Sequence, residues 1–219
     1  MRFDRDPRLE RTLYNMLAAK YLTTKPLGHL TEVLYCLTNS YMNRFFPLTP
    51  TDKELLYFAV GFGLEDVMLR QPGVAAPETV VVEGVPMTPD FIWLKDEGVD
   101  LKSTRMYPTQ PDGVPKMGWP ETWLEQFMAY AYMLGKTTYS VGVVYLLPPE
   151  LVGGTFTWTQ AEINANWAKV KSRREVYMKA VVDQVPPKPF TYNKEWECKN
   201  CKRLEWCKAQ ERLQALGAA

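Results

Sequence analysis

Long apolar runs are missing from this sequence. The longest, such as residues 143–147, fall far short of the length needed to cross a bilayer, so no membrane-spanning segment is expected. The opening MRFDRDPRLER alternates charge and has no apolar stretch of the signal-peptide kind, which points to the cytoplasm and to reduced thiols. Neither charge is in surplus: 26 Lys and Arg face 25 Asp and Glu, a net charge of +1. That balance excludes a chain-wide polycation of the DNA-packaging kind. It leaves room for a local acidic metal site inside a basic rim. Internal repeats and low-complexity tracts are also lacking. Histidine is reduced to a single copy, His29.

What is present suits a folded domain. The 219 residues are 46% hydrophobic and 23% charged, enough to bury a core without disulfide staples. Helical periodicity is expected over residues 7–22, 31–45 and 52–69, the last two capped by Thr31 and Thr51. The middle turns to β-formers. Strands are expected at 78–83, 91–94, 99–103 and 139–147, with a short one at 155–158 and turns at Gly84 and 95–98. An apolar helix over 123–134 and a long one over 160–182 complete the pattern. Residues 107–120, rich in proline, form a loop long enough to suspect function. The order predicts an α/β fold with a mixed central sheet and flanking helices. One domain is expected over 1–219: a helical part at 1–70, a core at 78–182 and a cysteine-bearing tail at 186–219.

The tail reads Cys198-Lys-Asn-Cys201-Lys-Arg-Leu-Glu-Trp-Cys207, and Cys36 is the fourth and last cysteine. A two-residue gap lets Cys198 and Cys201 face one metal from a tight turn. Zinc modules gather their ligands locally, so a distant fourth cysteine suits an iron–sulfur cluster stapling the chain ends better. Zinc with three cysteines and one other ligand is the second reading, and a core thiol beside an accidental cluster is the plain one.

Asp100 and Lys102 stand two apart on an expected strand, so both side chains share one face. The hairpin returns Asp90 to the same end. Two carboxylates beside an ammonium fit Mg2+ or Mn2+ with a charge-stabilising partner. For a bare D-x-K, a surface salt-bridge ladder on an antiparallel pair is the better reading. Gln126 and Tyr130 form an i,i+4 pair of polar groups on an otherwise apolar helix, which suits a face turned to something polar; the plain reading is a buried Gln satisfied by backbone and a Tyr that fills the core. Gly135-Lys136-Thr137-Thr138 imitates the end of a phosphate loop. Tyr130 occupies the place of the first glycine, and the helix-then-strand order is reversed, so no nucleoside triphosphate is expected. Lys169, Lys171, Arg173 and Arg174 read as a solvated helix face, and Lys199, Lys202, Arg203 and Lys208 as a positive field around the thiols.

Taken in order, these pieces resemble the PD-(D/E)xK nucleases of the RecB-like type. More narrowly, they resemble the iron–sulfur exonucleases that include the CRISPR-associated RecB-like adaptation nucleases and the AddB nuclease domain. Cys36 comes first, then Asp90 with Asp100-Leu101-Lys102, then Gln126-x-x-x-Tyr130, then Cys198, Cys201 and Cys207, spanning roughly residues 29 to 208. The resemblance implies a restriction-endonuclease-like core and a metal-dependent exonuclease acting on single-stranded DNA or DNA ends. By it Asp90 and Asp100 ligate Mg2+ or Mn2+, Lys102 assists the attacking water, and Gln126 and Tyr130 lie along the DNA path. The four cysteines would hold a structural 4Fe–4S cluster. The family histidine has no counterpart. Glu65, in Gly61-Phe-Gly-Leu-Glu65-Asp66, takes its place as the expected third ligand, oxygen being a good donor to these ions. His29 is expected to be structural. The competing expectation is a non-catalytic or partner-dependent DNA-binding module within a CRISPR-integration or phage recombination complex.

Overall fold

The computed structural model describes residues 7–21, 25–71, 73–75, 78–93, 97–104, 118–146, 149–199 and 201–217. Most of the 107–120 loop and the tip of the expected 95–98 turn lie outside the described residues.

Four helices come first: α1 (Pro7–Tyr21), α2 (Leu30–Leu34), α3 (Leu37–Phe45) and α4 (Asp52–Leu69). The Thr51-x-x-Glu54 capping box starts α4: the hydroxyl accepts from Glu54 N–H, and the carboxylate accepts from Thr51 N–H at 2.7 Å. The single helix expected over 31–45 is two. Tyr35 is extended (φ −87°, ψ 179°), and Cys36 becomes the N-cap of α3. No proline or glycine makes that break. Arg173 does, from the far end of the chain: its guanidinium donates to the carbonyls of Val33 at 2.5 Å and Tyr35 at 2.7 Å, satisfying the end of α2.

The strands follow as β1 (Val74–Ala75), β2 (Val80–Val82), β3 (Val85–Met87), β4 (Phe91–Trp93) and β5 (Glu97–Thr104). Glu83 and Gly84 both take positive φ (46° and 84°), the two-residue turn that joins β2 to β3. Then come α5 (Glu121–Met133), β6 (Thr138–Leu146), β7 (Pro149–Thr157), α6 (Gln160–Asp183), α7 (Glu195–Cys198) and α8 (Leu204–Ala215). One five-stranded sheet runs β1-β4-β5-β6-β7. β5 and β6 are parallel, as a crossover through α5 requires, and the other neighbours are antiparallel. Gly98 is a strand residue opposite Ile92, not part of the turn.

The sheet separates two layers. On one face Val99 and Leu101 pack with Val144 and with Leu64 and Met68 of α4. On the other lies the main core, built around Phe127 and Tyr130 of α5, Tyr139, Val141 and Val143 of β6, and Ile163, Trp167 and Tyr177 of α6. Asp100 pairs in register with Val141 and Lys102 with Val143, so both polar side chains point into that apolar layer. Among the described residues no helix is long and apolar enough to cross a membrane.

Candidate active site and cysteine cavity

β5 carries Asp100 and Lys102 on the face turned to α5. Asp100 is 0% exposed. Its Oδ2 is ion-paired with Lys102 Nζ, and its Oδ1 has no hydrogen-bond partner among the described residues. Lys102 Nζ also stands 5.8 Å from the centre of the Phe127 ring. The sequence explains the placement: alternation sends Asp100 and Lys102 one way while Val99 and Leu101 cover α4.

Asp90 reaches the same end of β5. The β4–β5 ladder has Phe91 opposite Val99, and just beyond it Asp90 Oδ2 accepts the Leu101 N–H at 2.8 Å. Burial raises the Asp90 pKa well above the ordinary aspartate value, and the charges of Asp100 and Glu65 add to the rise. Burial alone would lower the pKa of Lys102; Asp100 and Asp90 outweigh it and hold the ammonium charged. Glu65 stands on α4, within electrostatic reach of Asp90. The structure thus brings Glu65, Asp90, Asp100 and Lys102 into one neighbourhood. Among the described residues no three acidic, histidine or cysteine side chains converge closely enough to form a finished shell around a single ion. The donor set nonetheless fits a hard divalent cation: carboxylate oxygens, one of them buried with no hydrogen-bond partner among the described residues.

Gln126 and Tyr130 are buried, at 6% and 1% exposure. Gln126 Nε2 donates to Tyr130 Oη at 3.0 Å, and Tyr130 Oη donates to the Thr88 carbonyl at 2.8 Å. His29 caps α2: its Nδ1 accepts from Thr31 N–H at 3.3 Å, and Nε2 lies 3.4 Å from Thr88 Oγ1. That makes His29 structural, as expected, and burial lowers its pKa to about 4.

Sequence reasoning missed two residues at this site. Tyr35, beside Cys36, feels the charges of Lys102 and Asp100 and hydrogen-bonds the Thr122 side chain. Lys25, whose Nζ donates to Thr31 Oγ1 at 3.4 Å, feels Asp90, Lys102 and Glu65. Adjacency to Cys36 is a weak signal for Tyr35; nothing in the sequence marks Lys25.

The four cysteines line one cavity together with Asn193 and Arg203. Cys36 comes from the start of α3, Cys198 from the end of α7, Cys207 from α8, and Cys201 from the turn between the last two. Burial raises the Cys207 pKa to about 11, and Cys36, Cys201 and Cys198 raise it further. Cys36 and Cys198 are raised mainly by burial too. The expected basic field is outweighed: Arg203 lowers the Cys207 pKa, but burial and the neighbouring thiols prevail. Lys202 is paired with Glu54 and Lys208 with Glu205, while Arg203 turns to the carbonyls of Met42 and Phe46. The solvated face expected on α6 is likewise engaged: Lys169 binds the buried Glu125, and Lys171 binds Glu83 at 2.7 Å. Four cysteines lining one cavity are a soft donor set, the kind taken by zinc or iron–sulfur clusters, but among the described residues no three of them converge closely enough to form a finished metal shell.

The chain is similar in fold to the crystal structure of SSO0001. The TM-score is 0.57 at 14% identity, over 92% of this chain and 97% of that one. A distant likeness is to the crystal structure of an alkaline exonuclease (LHK-Exo) from Laribacter hongkongensis, at TM-score 0.34 and 12% identity, over 78% of this chain and 98% of that one. No protein-family model and no curated protein matches the chain.

Proposed function

We propose that the protein is a metal-dependent deoxyribonuclease of the PD-(D/E)xK, RecB-like type, an exonuclease for single-stranded DNA or DNA ends. The observation that carries this reading is Asp100: a fully buried carboxylate with one oxygen on Lys102 and the other unpartnered, beside Asp90. A structural role alone does not account for it, because an unpaired carboxylate oxygen in an apolar layer costs stability and gains nothing unless it serves a ligand.

In this reading Asp90 and Asp100, with Glu65 as the third candidate, hold Mg2+ or Mn2+. When bound, the ion supplies a Lewis acid for the scissile phosphate and lowers the pKa of its water. Lys102 keeps its proton, orients the attacking water by hydrogen bonding and offsets charge that develops on the phosphate. Leu101 N–H fixes one Asp90 oxygen, leaving the other to face the ion. Cys36, Cys198, Cys201 and Cys207 hold a 4Fe–4S cluster, with zinc as the alternative occupant. Its role would be structural, within the seam where the tail meets the start of α3.

The test is a cleavage assay on protein purified without oxygen, with Mn2+ and end-labelled single-stranded DNA. Wild type should cut, and Lys102→Ala should cut on the order of 10²–10⁴ times more slowly. Equal cutting by both would overturn the reading. No cutting by a cluster-loaded wild type would favour a binding module or a nuclease that needs a partner.

A further inference from the structure

Tyr130 is a phenol whose hydroxyl is fully engaged. It donates to Thr88 O at 2.8 Å, and the Gln126 amide donates to it at 3.0 Å. Its ring lies 5.5 Å from that of Tyr139, inside the main core. At 1% exposure neither ring nor hydroxyl is open to a polynucleotide, and Gln126 at 6% is scarcely more so. A base cannot stack on a ring already covered, and a phosphate cannot reach a proton already given to a carbonyl.

The carbonyl that receives this proton belongs to a segment held from the other side as well. Thr88 Oγ1 lies 2.8 Å from Thr79 Oγ1 and 3.4 Å from His29 Nε2. His29 Nδ1 accepts from Thr31 N–H, so the neutral ring carries its proton on Nε2 and donates to Thr88. The next residue, Pro89, is buried and has a fixed φ. The one after it is Asp90, whose Oδ2 is fixed by Leu101 N–H. Both anchors of Thr88 therefore act on Asp90 through a single stiff residue.

We propose that Gln126 and Tyr130 are positioning residues for Asp90: they set where its carboxylate stands toward the divalent cation, and they do not contact nucleic acid. This rests on the reading of Asp90 as a metal ligand. Gln126 selects the direction in which the Tyr130 hydroxyl points, Tyr130 holds the Thr88 carbonyl, and the Thr88–Asp90 segment carries that constraint to the site. Metal sites depend on such outer supports, because a ligand that wanders loses affinity.

The experiment compares wild type, Tyr130→Phe and Thr88→Val by Mn2+ titration calorimetry, and by anisotropy of a labelled single-stranded oligonucleotide without divalent metal. Tyr130→Phe keeps the ring and removes the one hydroxyl. The expected result is Mn2+ affinity weaker by about 2–10-fold, the span of one neutral hydrogen bond, with oligonucleotide affinity unchanged. Thr88→Val removes the other anchor without touching α5 and should weaken Mn2+ in the same direction. Excess Mn2+ should restore cleavage in both variants. Weakened oligonucleotide binding by Tyr130→Phe with Mn2+ affinity intact would overturn the proposal, as would a Thr88→Val protein that binds Mn2+ like wild type. A wild type that binds Mn2+ but cuts no nucleic acid would remove the nuclease reading alone, since the calorimetry still decides the positioning.

Discussion

Glu197 Oε1 accepts the backbone N–H of Cys36 at 2.7 Å, across 161 residues of sequence. The other oxygen of the same carboxylate accepts from Lys194 N–H at 2.6 Å. One side chain of the tail thus holds the start of α3 and its own helix start together. Further bonds follow the same seam: Leu37 N–H to Tyr192 O at 3.3 Å, Thr38 Oγ1 to Pro187 O at 2.9 Å, and Arg203 to Met42 O at 3.2 Å. The tail is docked by ordinary polar contacts, and the cysteine cavity lies inside that seam.

If the cavity holds the proposed cluster, its loss is therefore separable from loss of the tail. Cys201→Ala, purified without oxygen, should lose iron and visible absorbance, yet keep the wild-type far-ultraviolet circular dichroism. Its melting temperature should fall, since any ligand bound only by the native state stabilises it. Iron content equal to wild type would remove Cys201 from the ligand set.

Much of the site was legible, because alternation along a strand is a strong geometric constraint. Asp100 and Lys102 share a face for that reason, and the returning hairpin fixes Asp90 nearby. The start of α4 was legible from Thr51 as its cap, and the start of α6 from the apolar stripe that begins near Gln160. The break at Tyr35 was not, because its cause is Arg173, far along the chain. The full length of β7 was hidden too. Residues 150–154 include Glu150 and two glycines, which are weak β-formers, and pairing with β6 along all nine positions overrides that preference. Gln126 and Tyr130 show the remaining limit. Spacing puts two polar groups on one helix face but does not say whether that face meets a ligand or a backbone carbonyl.

Gly98 tests the close approach of α5 to the strand that carries the site. A Cβ there would lie 2.8 Å from both Leu134 Cδ1 and Tyr139 Cε2. Tyr139 is fully packed and has little room to give. Gly98→Ala should destabilise the fold by about 1–3 kcal/mol, the usual cost of overpacking, and shift Asp100 two residues along. Denaturant unfolding checks the first effect and Mn2+ affinity the second. A wild-type midpoint would show that α5 yields freely.

His29 should make the protein acid-labile in a defined window. Its pKa is lowered from 6.5 to about 4 by burial, with Lys25 and Arg44 adding to the effect. The unfolded chain therefore takes up the proton first as pH falls. Stability from the neutral ring is complete above pH 6.5 and is lost progressively down to about pH 4, on the order of 3 kcal/mol in all. The structural reason is that Nδ1 must keep its lone pair to accept from Thr31 N–H. His29→Asn retains an N-cap acceptor and does not titrate in this range. Its unfolding free energy should fall less steeply than that of wild type between these pH values. Parallel curves would place the acid lability elsewhere.

Lys102 is the ion-pair partner of Asp100, a carboxylate with no exposure, and that makes stability a second readout of the proposed metal site. Removing one member of a buried pair costs roughly 3–5 kcal/mol, because the other charge is left uncompensated. Lys102→Ala without metal should therefore melt on the order of 10 °C below wild type. Mn2+ bound by Asp90 and Asp100 would supply the missing positive charge. The melting temperature of the variant should then rise with Mn2+ by more than that of wild type, whose lysine already balances Asp100. Scanning fluorimetry across a Mn2+ series reads this without any cleavage. A Mn2+ shift no larger in the variant than in wild type would mean that the cation does not meet Asp100, and the ligand set would have to be sought elsewhere.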